Sequence, residues 1–226
     1  DIPFAGDPAT AVATDAELDY LVSVVRQLFP QLDLTRADVH LHYAGVRPLP
    51  QTGGGTPASV TRRHWMEEHA GGSVPMYSIV GGKLTTCRSL AEQSAATILQ
   101  RLGRSPSAHS RQRPIPGGES YPADQTQLQA AWHRLAGRFR LPPEGVRAIW
   151  TLCGSRTESV LAGLDDLAGP SLAGTQLPRS FVRWVIRHEW VATLDDLIER
   201  RLMLLYDPHV SGATLEELAR LLVESG

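Results

Sequence analysis

Hydrophobic and polar residues follow two different periods along this chain, and the change of period divides it into two halves. In the first half, short apolar runs with strand-like composition follow one early helical pattern. The clearest run is Met76–Val80, which stops at a pair of glycines. Beyond Pro122 the strand pattern disappears, and apolar residues recur every three or four positions, as in amphipathic helices. The pattern therefore predicts an α+β fold: a short sheet with helices, followed by an all-α C-terminal region.

Two helices are predicted in the first half. The sequence Thr14-x-x-Glu17 is a capping box, and the helix that it opens should end before Pro30. A second helix is predicted from Leu84 to Gly103, with one apolar face that should pack in the core. That face comprises Leu84, Cys87, Leu90, Ala91, Ala95, Ile98 and Leu102.

Three segments before the second helix have strand or turn patterns. Val39–Ala44 alternates apolar residues with histidines, which predicts a half-buried strand. Val60–Trp65 is predicted as a short strand that returns from a glycine-rich excursion. Glu67–Ser73 should then form a hairpin-like turn into the Met76 strand, with Gly71-Gly72 at its tip.

The second half is predicted as five or six short helices. Gln127–Phe139 forms one, and another should begin near Pro143 and stop at Gly154. Phe181, Trp184, Val185 and His188 share the apolar face of a later helix. Three capping boxes open further helices, at Ser155-x-x-Glu158, Thr193-x-x-Asp196 and Thr214-x-x-Glu217.

The composition of the segment between the halves indicates a linker. Residues 105–122 are rich in serine and proline with scattered arginines. We therefore predict a first domain at 1–104, the linker at 105–122 and an all-α domain at 123–226.

Composition excludes several classes of protein. A net charge of −2 over 226 residues gives no electrostatic footprint for nucleic acid. Cys87 and Cys153 lie far apart without metal-ligand spacing, so we expect no metal site and no disulfide framework, and both cysteines as buried small hydrophobes in a reducing compartment. No apolar run approaches the roughly 20 residues that cross a bilayer, and no signal peptide is evident.

The most informative candidate site is the corner after the Met76 strand. Gly81 and Gly82 lack Cβ atoms, so a ligand can touch the backbone there, and the following helix start offers free N–H groups and the positive end of its dipole. Lys83 in this corner is the only lysine of the chain. A solvated lysine without a role is the alternative, but the glycine pair and the helix start favour a functional one.

Three motifs resemble one enzyme family. They are GGKLTTCRSLAE at Gly81–Glu92, YAGVRPL at Tyr43–Leu49 and SVTR at Ser59–Arg62. In order and spacing they resemble FAD-dependent glycerol-3-phosphate dehydrogenases, of which this chain resembles roughly the last two fifths. No G-x-G-x-x-G occurs here, so the resemblance implies that the part binding the ADP half of FAD lies upstream. We therefore expect a C-terminal fragment that is inactive alone and does not retain FAD.

The resemblance implies roles for individual residues. Gly81, Gly82, Lys83, Leu84 and Thr85 would lie against FAD, and Lys83 would also be the catalytic cation. Arg47 and Arg62 would bind the substrate phosphate with Lys83, because guanidinium groups fork onto oxyanions. The base that takes the hydroxyl proton would belong to the upstream part. Cys87 replaces the usual tyrosine of the family, which we interpret as a packing adjustment.

The implied reaction converts sn-glycerol 3-phosphate to dihydroxyacetone phosphate, with FAD as hydride acceptor and quinone as final acceptor. A cytoplasmic location follows, with peripheral contact to the inner membrane left open. Two other functions also stay open. The capped helices after Pro122 would suit a helical protein-interaction or regulatory module, and the flavin corner would equally suit an FAD oxidoreductase of another hydroxy acid or amine.

Overall fold

The computed structural model describes residues 2–47, 63–106 and 109–225. Contacts divide the chain into two compact units, residues 1–112 and 113–226, called here the N-terminal and the C-terminal unit. The helices and strands of the N-terminal unit are α1 (Asp15–Leu28), β1 (Trp65–His69), β2 (Met76–Val80) and α2 (Cys87–Arg101). Those of the C-terminal unit are α3 (Gln125–Phe139), α4 (Pro143–Cys153), α5 (Thr157–Ala162), α6 (Arg179–His188), a π-helical segment (Asp196–Arg201) and α7 (Gly212–Ser225).

The capping box of α1 is confirmed. The Thr14 hydroxyl accepts the Glu17 N–H at 3.3 Å, and the Glu17 carboxylate accepts the Thr14 N–H at 2.9 Å. Arg36 then fastens the following loop to α1 by ion pairs with Asp15 at 2.7 Å and Asp19 at 3.0 Å. Local capping and exposed ion pairs thus define α1.

The sheet of the N-terminal unit is one antiparallel hairpin. Trp65 pairs with Val80 and His69 with Met76, so β2 lies where the sequence predicted it. The turn is shorter than predicted, because β1 continues through His69 where a turn from Glu67 was expected. The predicted strand at Val39–Ala44 is wrong: the segment has no strand partner in the described ranges, and alternation alone does not supply one.

The second predicted helix exists, but its predicted core face does not. It begins with a 3₁₀ turn at Leu84–Thr86 before α2. Leu84, Cys87, Ile98 and Leu102 are all exposed, whereas the only buried residue of α2 is Ser94. The apolar periodicity predicted the helix correctly. The prediction that its apolar face is buried is wrong, because nothing in the described chain covers that face.

The C-terminal unit holds the hydrophobic core. Each of its helices contributes fully buried apolar residues, including Leu135, Ile149, Leu161, Phe181 and Leu218. The helices predicted at Gln127–Phe139 and from Pro143 are confirmed within two residues. The apolar face predicted for α6 is confirmed at Phe181 and Val185, whereas Trp184 is half-buried and His188 is exposed. The predicted fold class is therefore confirmed: a short sheet with helices, then an all-α region.

Two capping predictions in this unit have different outcomes. Thr193 and Asp196 exchange hydrogen bonds as predicted, although the segment that follows is π-helical. The capping box at Thr214 is wrong, because α7 begins earlier and Thr214 is fully buried. Its hydroxyl donates to the carbonyl of Ala173 at 2.8 Å, 41 residues away. The Thr214 hydroxyl thus bonds a backbone carbonyl distant in sequence, where a local cap with Glu217 was predicted.

Part of the predicted linker belongs to the C-terminal unit and contacts its helices. The Gly117 carbonyl accepts the Ser155 N–H at 2.9 Å, Glu119 pairs with Arg156 at 3.1 Å, and the Tyr121 hydroxyl accepts the indole N–H of Trp150 at 3.0 Å. The domain boundaries at 104 and 122 stay a prediction.

Candidate functional site

The candidate corner lies where β2 ends. Gly81 and Gly82 adopt φ values of +73° and +111°, a region that residues with side chains rarely enter. A Cβ atom on Gly81 would lie 2.6 Å from the carbonyl oxygen of Arg63, at the start of the hairpin. The glycine at 81 is therefore required by the fold itself, in addition to any ligand that approaches it.

The helix start beside the glycines presents free donors. The Lys83 N–H donates to the Thr86 hydroxyl at 3.2 Å, and that hydroxyl donates to the Lys83 carbonyl at 3.1 Å. In the described part of the chain, the N–H groups of Leu84 and Thr85 have no acceptor. Unpaired N–H groups at a helix start attract negative charge, since the helix dipole is positive there.

The corner is open to ligands. Lys83, Leu84 and Thr85 are exposed, Leu84 to 90%, and Gly81 is half-buried. Its donors include the Lys83 ammonium and the N–H groups of Leu84 and Thr85. Such a set suits an anion or the electron-rich edge of a ring, and it fits the cofactor edge that the resemblance implies.

The structure describes only one of the two arginines predicted to bind the substrate phosphate. Arg47 is exposed and is the last residue of the described range 2–47. Arg62 lies outside the described residues. The convergence of Arg47 and Arg62 with Lys83 therefore stays a prediction.

The prediction that both cysteines are buried is wrong for Cys87. Cys87 is exposed at the first position of α2, so the expectation of a packing adjustment within the core fails there. Cys153 is half-buried, and desolvation by burial raises the pKa of its thiol to about 11. Of the two thiols, only that of Cys87, beside the corner, is exposed.

Sequence reasoning missed the residues that hold α2 against the hairpin. His64 and Gln93 form a hydrogen bond at 3.0 Å, and Arg101 pairs with Glu68 at 3.4 Å. Both contacts join residues about 30 positions apart, so no local pattern could have revealed them. They position the corner, because α2 continues from the turn that contains Lys83.

A cavity of about 620 Å³ lies in the C-terminal unit near Trp150. Its arginines are neutralised, Arg156 by Glu119 at 3.1 Å and Arg134 by Glu158 at 3.3 Å. A balanced lining of this kind does not select an anion, so we assign no ligand to it.

Two kinds of feature are absent from residues 2–47, 63–106 and 109–225. None of the helices there is both long and apolar enough to cross a membrane. No group of three or more histidine, cysteine or acidic residues is arranged there to hold a metal ion.

Comparison with known proteins defines the class of this chain. Residues 108–225 match the family described as the C-terminal domain of alpha-glycerophosphate oxidase. The chain is 34% identical over 206 residues to a glycerol-3-phosphate dehydrogenase of Pseudomonas tolaasii, covering 89% of this chain and 39% of that protein. It is 32% identical over 194 residues to one of Synechocystis, covering 84% of this chain and 34% of that protein. The chain therefore belongs to the FAD-dependent glycerol-3-phosphate dehydrogenase family, of which it corresponds to the C-terminal portion.

Two further similarities extend the comparison. A D-erythritol 1-phosphate dehydrogenase of Brucella abortus is 31% identical over 207 residues, covering 89% of this chain and 40% of that protein. The fold matches the crystal structure of a glycerol-3-phosphate dehydrogenase from Bacillus halodurans complexed with FAD, with a TM-score of 0.65 and 23% identity. That match covers 97% of this chain and 43% of the other. The chain thus spans about two fifths or less of the curated relatives described here.

Proposed function

We propose that this chain is the portion of an FAD-dependent dehydrogenase that holds sn-glycerol 3-phosphate against the flavin. The complete enzyme would oxidise this substrate to dihydroxyacetone phosphate and pass the electrons to quinone. The observation that carries the proposal is the open corner at Gly81–Thr85, where an ammonium and two unpaired N–H groups are exposed, in a chain of this family.

The phosphate end of the substrate needs more than one cation. A phosphate monoester carries nearly two negative charges at neutral pH, and arginine binds its oxygens in a bidentate manner. We assign this binding to Arg47 and Arg62, with Lys83 on the side of the flavin. If the three converge, the site favours a phosphorylated alcohol over an uncharged one.

The corner would assist hydride transfer electrostatically. FAD would accept the hydride from C2 of the substrate. Bound FAD would bring negative charge beside the Gly81–Gly82 turn, where the Lys83 ammonium and the N–H groups of Leu84 and Thr85 would stabilise it. The Thr86 hydroxyl fixes the backbone of Lys83 at the start of this turn, so the two N–H groups need little reorganisation during the reaction.

This chain leaves parts of the reaction to the rest of the enzyme. The resemblance assigns the base that takes the hydroxyl proton to the portion upstream of these residues. We therefore expect the chain alone to be inactive and not to retain FAD.

The role of Lys83 is tested by Lys83→Met in the complete enzyme that contains this segment. Loss of one preorganised donor costs about 3 kcal/mol of barrier, so kcat should fall roughly a hundredfold. Arg104→Met, which removes an exposed cation just beyond α2, is the matched control and should leave kcat unchanged. Near-normal turnover by the Lys83 variant would refute the assignment.

A second candidate substrate is D-erythritol 1-phosphate. The Brucella relative named for this substrate is as similar to the chain as the glycerol-3-phosphate dehydrogenases are. Both substrates are phosphorylated polyols, and they differ by one CHOH unit, so the same cations serve either. Comparison of kcat/KM for the two substrates decides between them: the glycerol proposal requires the larger value for glycerol 3-phosphate.

A further inference from the structure

Helix α2 continues from the candidate corner, yet in the described chain no hydrophobic core holds it. The 3₁₀ turn Leu84–Thr86 leads directly into α2, so the direction of the corner's N–H groups follows the direction of the helix. Of the residues of α2, only Ser94 is buried. Polar contacts therefore decide how α2 lies, because little apolar surface around it is removed from water.

One side of α2 faces the hairpin and the corner. The Leu90 side chain lies against Gly82, with its Cδ2 atom 3.4 Å from the position that a Cβ atom on Gly82 would occupy. Gln93 forms its hydrogen bond with His64 at 3.0 Å. Successive residues turn by about 100° around a helix, so Leu90 and Gln93 lie on the same side of α2. A shift of α2 is therefore transmitted to the corner through Leu90.

The opposite side of α2 binds the backbone of Ser110. The Arg88 guanidinium donates to the Ser110 carbonyl, and the Glu92 carboxylate accepts the Ser110 N–H. Arg88 and Glu92 are four residues apart and share one face of the helix, whereas Leu90, midway between them, points the other way. These two contacts, called here the Ser110 clamp, hold α2 between Ser110 and the corner.

The chemistry of the clamp suits a fixed support. Each of its hydrogen bonds has one charged partner, which makes it stronger than a bond between neutral groups. Arg88, Glu92 and Ser110 are all half-buried, so water screens these contacts less than it screens a surface pair. Both bonds reach main-chain atoms, so the clamp does not depend on the side chain at position 110. The motif GGKLTTCRSLAE contains Arg88 and Glu92, whereas the proposed function uses only its first five residues.

We propose that Arg88 and Glu92 are positioning residues for the hydride transfer. By binding Ser110 they keep α2 in place, which keeps Leu90 in contact with Gly82 and the corner in its observed conformation. Both act through α2, without touching substrate or cofactor. The proposal rests on the proposed function and deepens it, because it assigns a task to the second half of the motif.

The reduction potential of bound FAD in the complete enzyme is the first test. Arg88→Met and Glu92→Met should each lower it by about 30 mV, equivalent to a tenfold weaker preference for the reduced flavin, because displaced donors stabilise negative charge less. The kcat should fall roughly tenfold, with KM for glycerol 3-phosphate kept within about twofold. Arg104→Met, an exposed cation beyond α2, is the control and should change none of these. An unchanged potential, with or without a lower melting temperature, would overturn the proposal.

Further variants isolate the bond between Glu92 and Ser110. Glu92→Gln keeps an oxygen for the Ser110 N–H and should restore the potential, and Ser110→Ala keeps both backbone groups and should behave likewise. Ser110→Pro removes the N–H at the first position of a 3₁₀ turn, which proline tolerates, and should reproduce the loss seen in Glu92→Met. The double variant should be no worse than either single one, since both lose the same bond; additive losses would overturn the proposal. Ser110→Pro lies outside α2, so it keeps the test available if the α2 variants do not fold.

Hydrogen–deuterium exchange of the complete enzyme separates the clamp from the proposed function. Amides of residues 86–93 should exchange roughly tenfold faster in Arg88→Met and Glu92→Met than in the unchanged enzyme. Faster exchange there, together with normal turnover by Lys83→Met, would refute the proposed function and leave the clamp in place. Unchanged exchange, together with a large loss of turnover in Lys83→Met, would refute the clamp alone.

Discussion

Gly154 shows how one residue without a side chain joins two segments of the C-terminal unit. It ends α4 with a φ of +58°, and a Cβ atom there would lie 2.1 Å from the carbonyl oxygen of Gly117. The Ser155 N–H donates to that same carbonyl at 2.9 Å. Both the positive φ and the close approach require glycine at this position.

Gly154→Ala should therefore destabilise the C-terminal unit by about 2–4 kcal/mol, since the backbone must move and the Gly117–Ser155 hydrogen bond is lost. Gly137→Ala is the matched control, because Gly137 lies in α3 with no atom within 4 Å of the added Cβ. That change should stabilise the helix by about 1 kcal/mol. Urea unfolding measures both, and similar shifts for the two variants would contradict this account.

Asp196 links stability to pH. N–H groups of Ala192 and Thr193 donate to its carboxylate at 3.0 and 2.9 Å and, with the Thr193 hydroxyl, lower its pKa from 3.8 to about 2. A depressed folded-state pKa adds stability that is complete above pH 3.8 and is lost as pH falls through 2. Asp196→Asn should lose that dependence in thermal melts between those values, whereas Asp195→Asn, which changes an exposed neighbour, should keep it.

The sequence pattern predicted a stabilising contact only where its two residues are close together in the chain. Thr193 and Asp196 are three positions apart, and their capping pattern was evident. Gly154 was evident as a helix stop, but its contact with Gly117 was not. The same limit applied to the candidate corner: its glycines, lysine and helix start were recognised, while the His64–Gln93 contact that positions it was not.

At the scale of elements, α7 is held by an ion pair whose carboxylate is buried. Glu217 is buried, accepts the Ala173 N–H at 3.0 Å and pairs with Arg179 at the start of α6. Thr214, one turn earlier on α7, donates to the Ala173 carbonyl. These contacts join α7 to the segment before α6. The sequence pattern of Thr214 and Glu217 suggested a local cap, because a capping box and a pair of long-range anchors contain the same residue types.

Glu217→Ala should cost about 2–4 kcal/mol of unfolding free energy, since it leaves Arg179 and the Ala173 N–H without their acceptor. Glu224→Ala on the same helix removes an exposed pair with Arg183 at 3.4 Å and should change stability by less than about 0.5 kcal/mol. Denaturant melts of both variants provide the measurement. A Glu217 variant as stable as the Glu224 variant would show that the buried pair contributes little.

At the scale of the whole molecule, the division of the apolar core distinguishes the two units. The helical periods of the second half corresponded to a real core, since these helices cover one another. In the first half, the same kind of period at Leu84–Leu102 and the alternation at Val39–Ala44 led to wrong predictions. A sequence pattern shows that an apolar face exists, and only the surrounding elements decide whether it is buried.

Calorimetry should reveal this division in the chain alone. Unfolding enthalpy is about 0.7 kcal/mol per residue near 60 °C, so residues 113–226 account for about 80 kcal/mol and the whole chain for about 160. We expect one cooperative transition near the lower value, because the N-terminal unit has almost no core to melt. An enthalpy near the upper value would contradict this expectation.

The contrast between the two thiols has a practical consequence. Cys153 is half-buried and its pKa is raised to about 11, so it should resist alkylation at mildly basic pH. Cys87 is exposed, so alkylating reagents should reach it. The natural chain thus carries a single attachment point for a fluorophore or spin label, four residues after Lys83. A probe fixed there would report occupancy of the corner without any engineered cysteine.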